Sequence, residues 1–157
     1  MTLNKLYIRY GLLLGWLLLI FLLSNEPSSA SSERSGAIVE VVKTLGSSLP
    51  NDVLTFITRK LAHIIAYLIL GFSMFLVVCA YTPNARKAIL VSILFVCMYA
   101  ITDEFHQTFV PGRSGEVRDV LIDTTAGAAG VLVTYAIIRW RALRTGVTTS
   151  KKPQNNV

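Results

Sequence analysis

Lys60, His63 and Tyr67 bring a cation, a titratable imidazole and a phenol to the start of a long apolar run. Their spacing of three and then four residues places all three on one face of a helix, over two turns. The imidazole exchanges protons near neutral pH. The pattern therefore predicts a helix face that can bind a charged group and move a proton.

Asp103, Glu104 and Gln107 end a second apolar run. Asp103 and Gln107 are one turn apart and share a helix face, whereas the two adjacent acids point about 100° apart. We therefore expect only one of the two acids to face the centre of the fold. Together with His63, these carboxylates are the candidate acid–base catalysts of the chain.

A turn-prone loop with Arg113 at its centre leads into the last apolar run. Arg113 is the best candidate for anion binding, because its planar guanidinium suits phosphate or carboxylate. Asp119 and Asp123 follow, one helical turn apart, and Gly127 and Gly130 continue their side. We expect the glycines to allow close helix packing.

Four apolar stretches must position these residues. Of the 157 residues, 53% are hydrophobic and 15% charged, whereas about 25% charged is usual in soluble domains. This excludes a soluble enzyme, a disordered chain and a coiled coil. The runs are too continuous for a β-barrel, and roughly 20 residues suffice for a helix to cross a bilayer. We predict an all-α bundle with spans at about 6–24, 61–81, 86–106 and 119–139.

The first span has a second interpretation. Lys5 and Arg9 before a short apolar run, with small residues at 28–31, are also typical of a cleaved signal peptide. An uncleaved anchor is favoured because no Ala-x-Ala site follows.

The polar segment after the first span contains a Ser-rich stretch, residues 28–35, that we expect to be flexible. Beyond it, apolar residues recur at helical spacing at Ile38, Val41, Val42, Leu45 and Leu49. This predicts a short amphipathic, extracytoplasmic helix, which lies either on the membrane surface or against the bundle.

The basic residues indicate the topology. With the N-terminus in the cytoplasm, the inner side carries Lys5, Arg9, Arg86, Lys87, Arg139, Arg141, Arg144, Lys151 and Lys152, and all nine acids lie towards the outside. This accounts for the net charge of +6 without nucleic acid. We expect both termini in the cytoplasm, with residues 146–157 as a disordered tail of the domain 1–145.

The same topology brings polar residues of three helices to the outer membrane level. Ionisable groups at membrane depth usually mark function. The predicted binding residues are Lys60, His63, Tyr67, Asp103, Glu104, Gln107, Arg113, Asp119 and Asp123. Alternatively the cluster is purely structural, with Lys60–Asp103 or Arg113–Asp119 as simple ion pairs.

No metal and no cofactor is predicted. His63, Asp103, Glu104 and Asp123 offer nitrogen and oxygen donors, but no two of them form a short metal motif. The two cysteines lie inside apolar runs without ligand spacing, so we expect both to be free.

Two segments resemble motifs of the VanZ-like family. Residues 59–71 are similar to its Lys-x-x-His-x-x-x-Tyr motif, and residues 102–115 to its Asp-Glu-x-x-Gln…Pro-Gly-Arg motif. The resemblance covers residues 12–132. Many members have Asn where this chain has Asp123.

The resemblance implies a small multi-pass protein of the bacterial plasma membrane, in a family whose namesake is linked to glycopeptide (teicoplanin) tolerance. Membrane lipids are the expected partners; the oligomeric state is left open.

Three functions are compatible with the residues. The outer cleft binds an anionic envelope lipid, a lipid-linked glycan or cell-wall precursor, or a glycopeptide antibiotic; or it is an enzyme acting on such a precursor; or the cluster is structural.

Overall fold

The computed structural model describes residues 3–145, which fold as five α-helices. These are α1 (Leu3–Ser24), α2 (Ser28–Thr44), α3 (Asn51–Val78), α4 (Ala85–Gln107) and α5 (Val117–Arg144). Within this range there is no strand, so the all-α prediction is confirmed. The predicted tail, residues 146–157, lies outside the described residues.

Four of the helices, α1, α3, α4 and α5, are long and apolar enough to cross a membrane. Large apolar side chains such as Leu12, Ile65, Leu94 and Leu132 cover the outside of the bundle. In water such a surface would be unfavourable, whereas in lipid it needs no further cover. The protein is therefore a membrane protein with four candidate spans.

Helix α3 begins well before the predicted span, at Asn51 rather than near residue 61. Pro50 precedes the helix in an extended conformation, and Asp52 in the first turn interacts favourably with the helix dipole. As a result, Lys60 and His63 lie in the third and fourth turns of α3, not at its start.

Helices α3 and α5 approach each other most closely, and glycines make this possible. A Cβ atom on Gly130 would overlap the carbonyl group of Leu68, and a Cβ on Gly71 would overlap that of Gly127. The packing role expected for Gly127 and Gly130 is confirmed. The close contact sets the polar residues of α3 and α5 side by side.

Helix α1 joins the bundle through individual side chains. Trp16 Nε1 donates to the carbonyl oxygen of Ala66 at 2.8 Å, and Tyr99 Oη donates to that of Leu17 at 2.8 Å. Leu13 and Ile20 are buried beside them. These contacts hold the middle of α1 against α3 and α4.

Helix α2 corrects one expectation. Residues 28–35 are not a flexible stretch but the first two turns of this helix. The Ser28 N–H donates to the Pro111 carbonyl oxygen at 3.2 Å, and Ser35 Oγ donates to the Ser31 carbonyl oxygen at 2.9 Å. Ser35 is buried, so tertiary contacts outweigh the weak helix preference of serine.

Helix α2 packs against the bundle, which is one of the two arrangements expected for it. Ser35 and Val39 face the bundle and are buried, whereas Ile38 and Val41 are exposed. The helix ends at Thr44, so Leu45 and Leu49 lie beyond it. One face of α2 therefore packs on the protein while its apolar neighbours remain free to contact lipid.

Candidate functional site

The polar residues of three helices meet at the end of the bundle where α3 and α5 begin and α4 ends; we call this the site end. At its centre lies Asp103, which is 6% exposed. Its Oδ2 atom accepts hydrogen bonds from Ser24 Oγ at 3.0 Å, Tyr67 Oη at 3.1 Å and Gln107 Nε2 at 3.4 Å. Asp103 thus links α1, α3 and α4.

His63 and Asp123 form a pair across α3 and α5. The Nδ1 atom of His63 lies 3.3 Å from Asp123 Oδ2. The Asp123 side chain is 2% exposed, and the His63 side chain is 28% exposed. A carboxylate at one ring nitrogen orients an imidazole and stabilises its protonated form.

One turn closer to the helix starts, Lys60 and Asp119 form an ion pair. The pairs Lys60–Asp103 and Arg113–Asp119 suggested by the sequence are wrong. Because α3 and α5 pack directly together, with Lys60 and Asp119 at the same level, each is the other's nearest opposite charge. Sequence reasoning predicted that these residues lie at one end of the bundle. It did not give the register between α3 and α5.

The adjacent acids are both buried, but in different directions. Asp103 faces the centre, as expected for one of them. Glu104 Oε2 accepts the backbone N–H of Glu116 at 2.9 Å, and its Oε1 lies 3.4 Å from Gln107 Nε2. Glu104 therefore anchors the loop between α4 and α5, and this role explains its burial.

Arg113 reaches back across the site end to Leu23 near the end of α1 and to Glu26 just beyond it. Its Nε donates to the Glu26 carbonyl oxygen at 2.9 Å, its Nη2 to that of Leu23 at 3.2 Å, and its Nη1 to Gln107 Oε1 at 3.3 Å. All three acceptors are neutral. Burial lowers the pKa of the Arg113 guanidinium from its usual value, and nearby Arg59 lowers it further. The group nevertheless stays charged.

Two cavities open at the site end. The first, of about 210 Å³, is polar, and its charged or titratable lining residues are Arg59, Lys60, His63, Arg113, Glu116, Asp119 and Asp123. The second, of about 120 Å³, lies between α1, α2 and α3. Its walls are mainly apolar, formed by residues including Ile20, Leu23, Ile38, Ala62 and Ala66.

Three residues line both cavities: Arg59, His63 and Arg113. The polar cavity and the apolar cavity are therefore neighbours, with two arginines and a histidine at their common border. Tyr67 lines only the apolar cavity, and Gln107 only the polar one. Asp103 and Glu104 lie behind the cavity walls.

Sequence reasoning missed three residues of this site, Ser24, Arg34 and Arg59. Arg34 lines the apolar cavity and forms an ion pair with Glu26. Arg59 directly precedes the lysine of the first motif, and this basic pair was the available signal. Ser24 lies at the end of the first span, and its bond to Asp103 spans 79 positions of the chain.

One metal-compatible arrangement is present within residues 3–145. His63, Asp103 and Asp123 each offer a ligand atom within 4.8 Å of the other two. His106 lies apart from this group and contacts Asn25 Oδ1 at 3.1 Å and the ring of Phe21. Cys79 and Cys97 are both free, as expected.

A bundle of membrane-length helices with a buried polar cluster at one end is typical of an integral membrane protein. The chain matches the VanZ/LLP1 family over residues 10–139 and belongs to this family. No curated protein and no solved structure matches it.

Proposed function

We propose that this VanZ/LLP1 protein binds an anionic envelope lipid at the site end, with the phosphate at the border of the two cavities and the chain in the apolar one. The observation that carries the proposal is the position of Arg59 and Arg113, which line both cavities. An arginine pair beside an apolar groove matches a ligand with an anionic head and a hydrocarbon tail.

The charge pattern favours these two arginines over the other cations of the site. Lys60 is neutralised by Asp119 and Arg34 by Glu26. Among residues 3–145, Arg59 takes part in no ion pair, and Arg113 donates only to neutral oxygens. A phosphate would supply the counter-charge that both lack.

Three of the predicted binding residues contact other protein side chains. Tyr67 and Gln107 donate to Asp103 instead of facing a free headgroup. Lys60 binds Asp119. In the proposed function, these three residues and Asp103 maintain the geometry of the site. Arg59 and Arg113 contact the ligand.

The distribution of basic residues supports an outward-facing site in the plasma membrane, with both termini in the cytoplasm. A lipid at that leaflet is either a phospholipid or a lipid-linked cell-wall precursor. A role in glycopeptide (teicoplanin) tolerance would follow from the second case, because the protein would then bind a lipid of the cell-wall pathway.

The test compares binding of a polyprenyl phosphate and the corresponding polyprenol to the full chain in detergent. We expect the wild type to prefer the phosphate, and Arg59→Gln and Arg113→Gln each to weaken phosphate binding at least tenfold. Arg118→Gln is the matched control, because Arg118 is exposed and lines neither cavity. Equal binding of alcohol and phosphate by the wild type, or unchanged binding in a folded Arg59→Gln variant, would contradict the proposal.

The His63–Asp123 pair favours a second function, an enzyme that acts on the bound lipid-linked precursor. His63 lines both cavities and has a carboxylate on one ring nitrogen, an arrangement that suits general acid–base catalysis. Lipid-linked precursors incubated with the protein should then give a new product, absent with His63→Gln. Finding no product with the wild type would exclude this function for the precursors used.

A further inference from the structure

The inner part of the site end brings together His63, Asp103 and Asp123 from three different helices. One ligand atom from each lies within 4.8 Å of the other two. In a tetrahedral metal site with bonds of about 2.1 Å, two ligand atoms lie about 3.4 Å apart. The His63 Nδ1 to Asp123 Oδ2 distance is 3.3 Å. The three side chains thus need to shift by less than about 1 Å to share one ion.

Within residues 3–145, no lysine or arginine forms an ion pair with either carboxylate, and the base beside Asp123 is His63. Lys60 is bound to Asp119, and Arg113 donates to carbonyl and amide oxygens only. Asp103 and Asp123 are 6% and 1% exposed. Two buried carboxylates this close together are costly unless a positive charge compensates them. A divalent cation would neutralise both.

Each carboxylate also has an oxygen that the protein does not use. The three donors to Asp103 all bind Oδ2, and the bond of Asp123 to His63 uses its Oδ2. Neither Oδ1 atom accepts a hydrogen bond from residues 3–145. Ser24 and Tyr67 hold the Asp103 carboxylate in place, as outer-shell hydrogen bonds do for ligands in metal sites.

We propose that His63, Asp103 and Asp123 bind one divalent transition-metal ion, with Mn²⁺ or Zn²⁺ as the cations that suit one imidazole and two carboxylates. His63 and Asp123 line the polar cavity, which provides the entry path and room for water as a further ligand. The proposed metal site shares His63 with the border where the lipid phosphate is proposed to bind, but it includes neither Arg59 nor Arg113.

The test uses the full chain in detergent, freed of metal by a chelator, and titrated with Mn²⁺, Zn²⁺ and Mg²⁺ in turn. We expect one Mn²⁺ or Zn²⁺ per chain, bound at least tenfold more tightly than Mg²⁺ because of the imidazole ligand. Electron–nuclear double resonance of bound Mn²⁺ should show coupling to one imidazole nitrogen.

Asp123→Asn and His63→Gln should weaken Mn²⁺ binding at least tenfold, since direct ligands matter at least as much as their outer-shell partners. Glu116→Gln is the control: it also removes a negative charge from the polar cavity but lies outside the triad.

Unchanged binding in the two ligand variants, or no saturable binding by the wild type, would overturn the proposal. Should these variants fail to fold, the nitrogen coupling of the wild type decides: its absence refutes the site. Neither outcome affects the lipid-binding test, which depends on the arginines.

Discussion

The phenol of Tyr67 donates to Asp103 Oδ2 at 3.1 Å, and this bond joins α3 to α4 in the interior of an apolar bundle. Tyr67 is fully buried, so its hydroxyl cannot exchange this partner for water without moving the helix. The bond lies beside the apolar cavity, which Tyr67 lines. It therefore connects the packing of the spans to the geometry of the site.

Replacing Tyr67 with Phe removes this bond and leaves the ring in place. Interhelical hydrogen bonds in membrane proteins contribute about 0.6 kcal/mol on average and up to about 1.7 kcal/mol. We expect Tyr67→Phe to lower stability by an amount in the upper half of this range, because Asp103 loses one of its three donors. Thermal unfolding in detergent measures the change. Tyr135→Phe is the control, since the Tyr135 hydroxyl makes no hydrogen bond within residues 3–145, and equal losses in both variants would contradict the prediction.

The contact between α3 and α5 should not tolerate a methyl group at Gly130. A Cβ atom there overlaps the Leu68 carbonyl, so Gly130→Ala must push the two helices apart. Overpacking of this kind costs about 1–3 kcal/mol. Gly15→Ala provides the comparison, because a Cβ on Gly15 meets nothing within 4 Å. If both alanine variants melt at the wild-type temperature, the close contact does not exist in the folded protein.

A double-mutant cycle measures the Lys60–Asp119 ion pair. Lys60→Met leaves the carboxylate of Asp119 partly buried without its partner, and Asp119→Asn does the same to the lysine. We expect the double variant to be more stable than the sum of the single losses predicts, by about 0.5–2 kcal/mol. Additive losses would mean that the two charges do not interact.

Arg113→Lys should loosen the loop between α4 and α5 while keeping its charge. A lysine cannot reproduce the three separate donations to Leu23, Glu26 and Gln107. We expect faster hydrogen exchange at residues 23–26 and 108–116, measured by mass spectrometry. Arg118→Lys, at an exposed position, should leave the exchange of both segments unchanged. A loop that exchanges equally in wild type and Arg113→Lys would show that these bonds do not hold it.

The sequence was sufficient to predict the membrane-length helices, and also the end of the bundle at which the site lies. Apolar runs of membrane length identify spans by themselves, and helical spacing decides which residues share a face. Lys60, His63, Asp103, Asp119 and Asp123 were accordingly expected near one another. The resemblance to the VanZ-like family was confirmed by the match over residues 10–139.

The partners within the site could not be predicted, because they depend on how the helices are set against one another. Lys60 binds Asp119 rather than Asp103, since the glycine contact brings α5 next to α3. The metal-compatible triad has the same origin: its members come from three helices and form no sequence motif. Likewise, the first turns of α2 depend on the bond from Ser28 to Pro111, a residue far along the chain.

The different ways in which the helices are attached have a mechanical consequence. Backbone contact makes α3 and α5 a rigid unit, whereas α1 is fastened by single side-chain bonds at several depths, such as those of Trp16, Tyr99 and Ser24. The attachment of α1 therefore depends on side chains at separate positions, whereas that of α3 to α5 depends on the backbone. The apolar cavity lies between α1, α2 and α3, so one of its walls belongs to the rigid pair and another to a helix held by side chains.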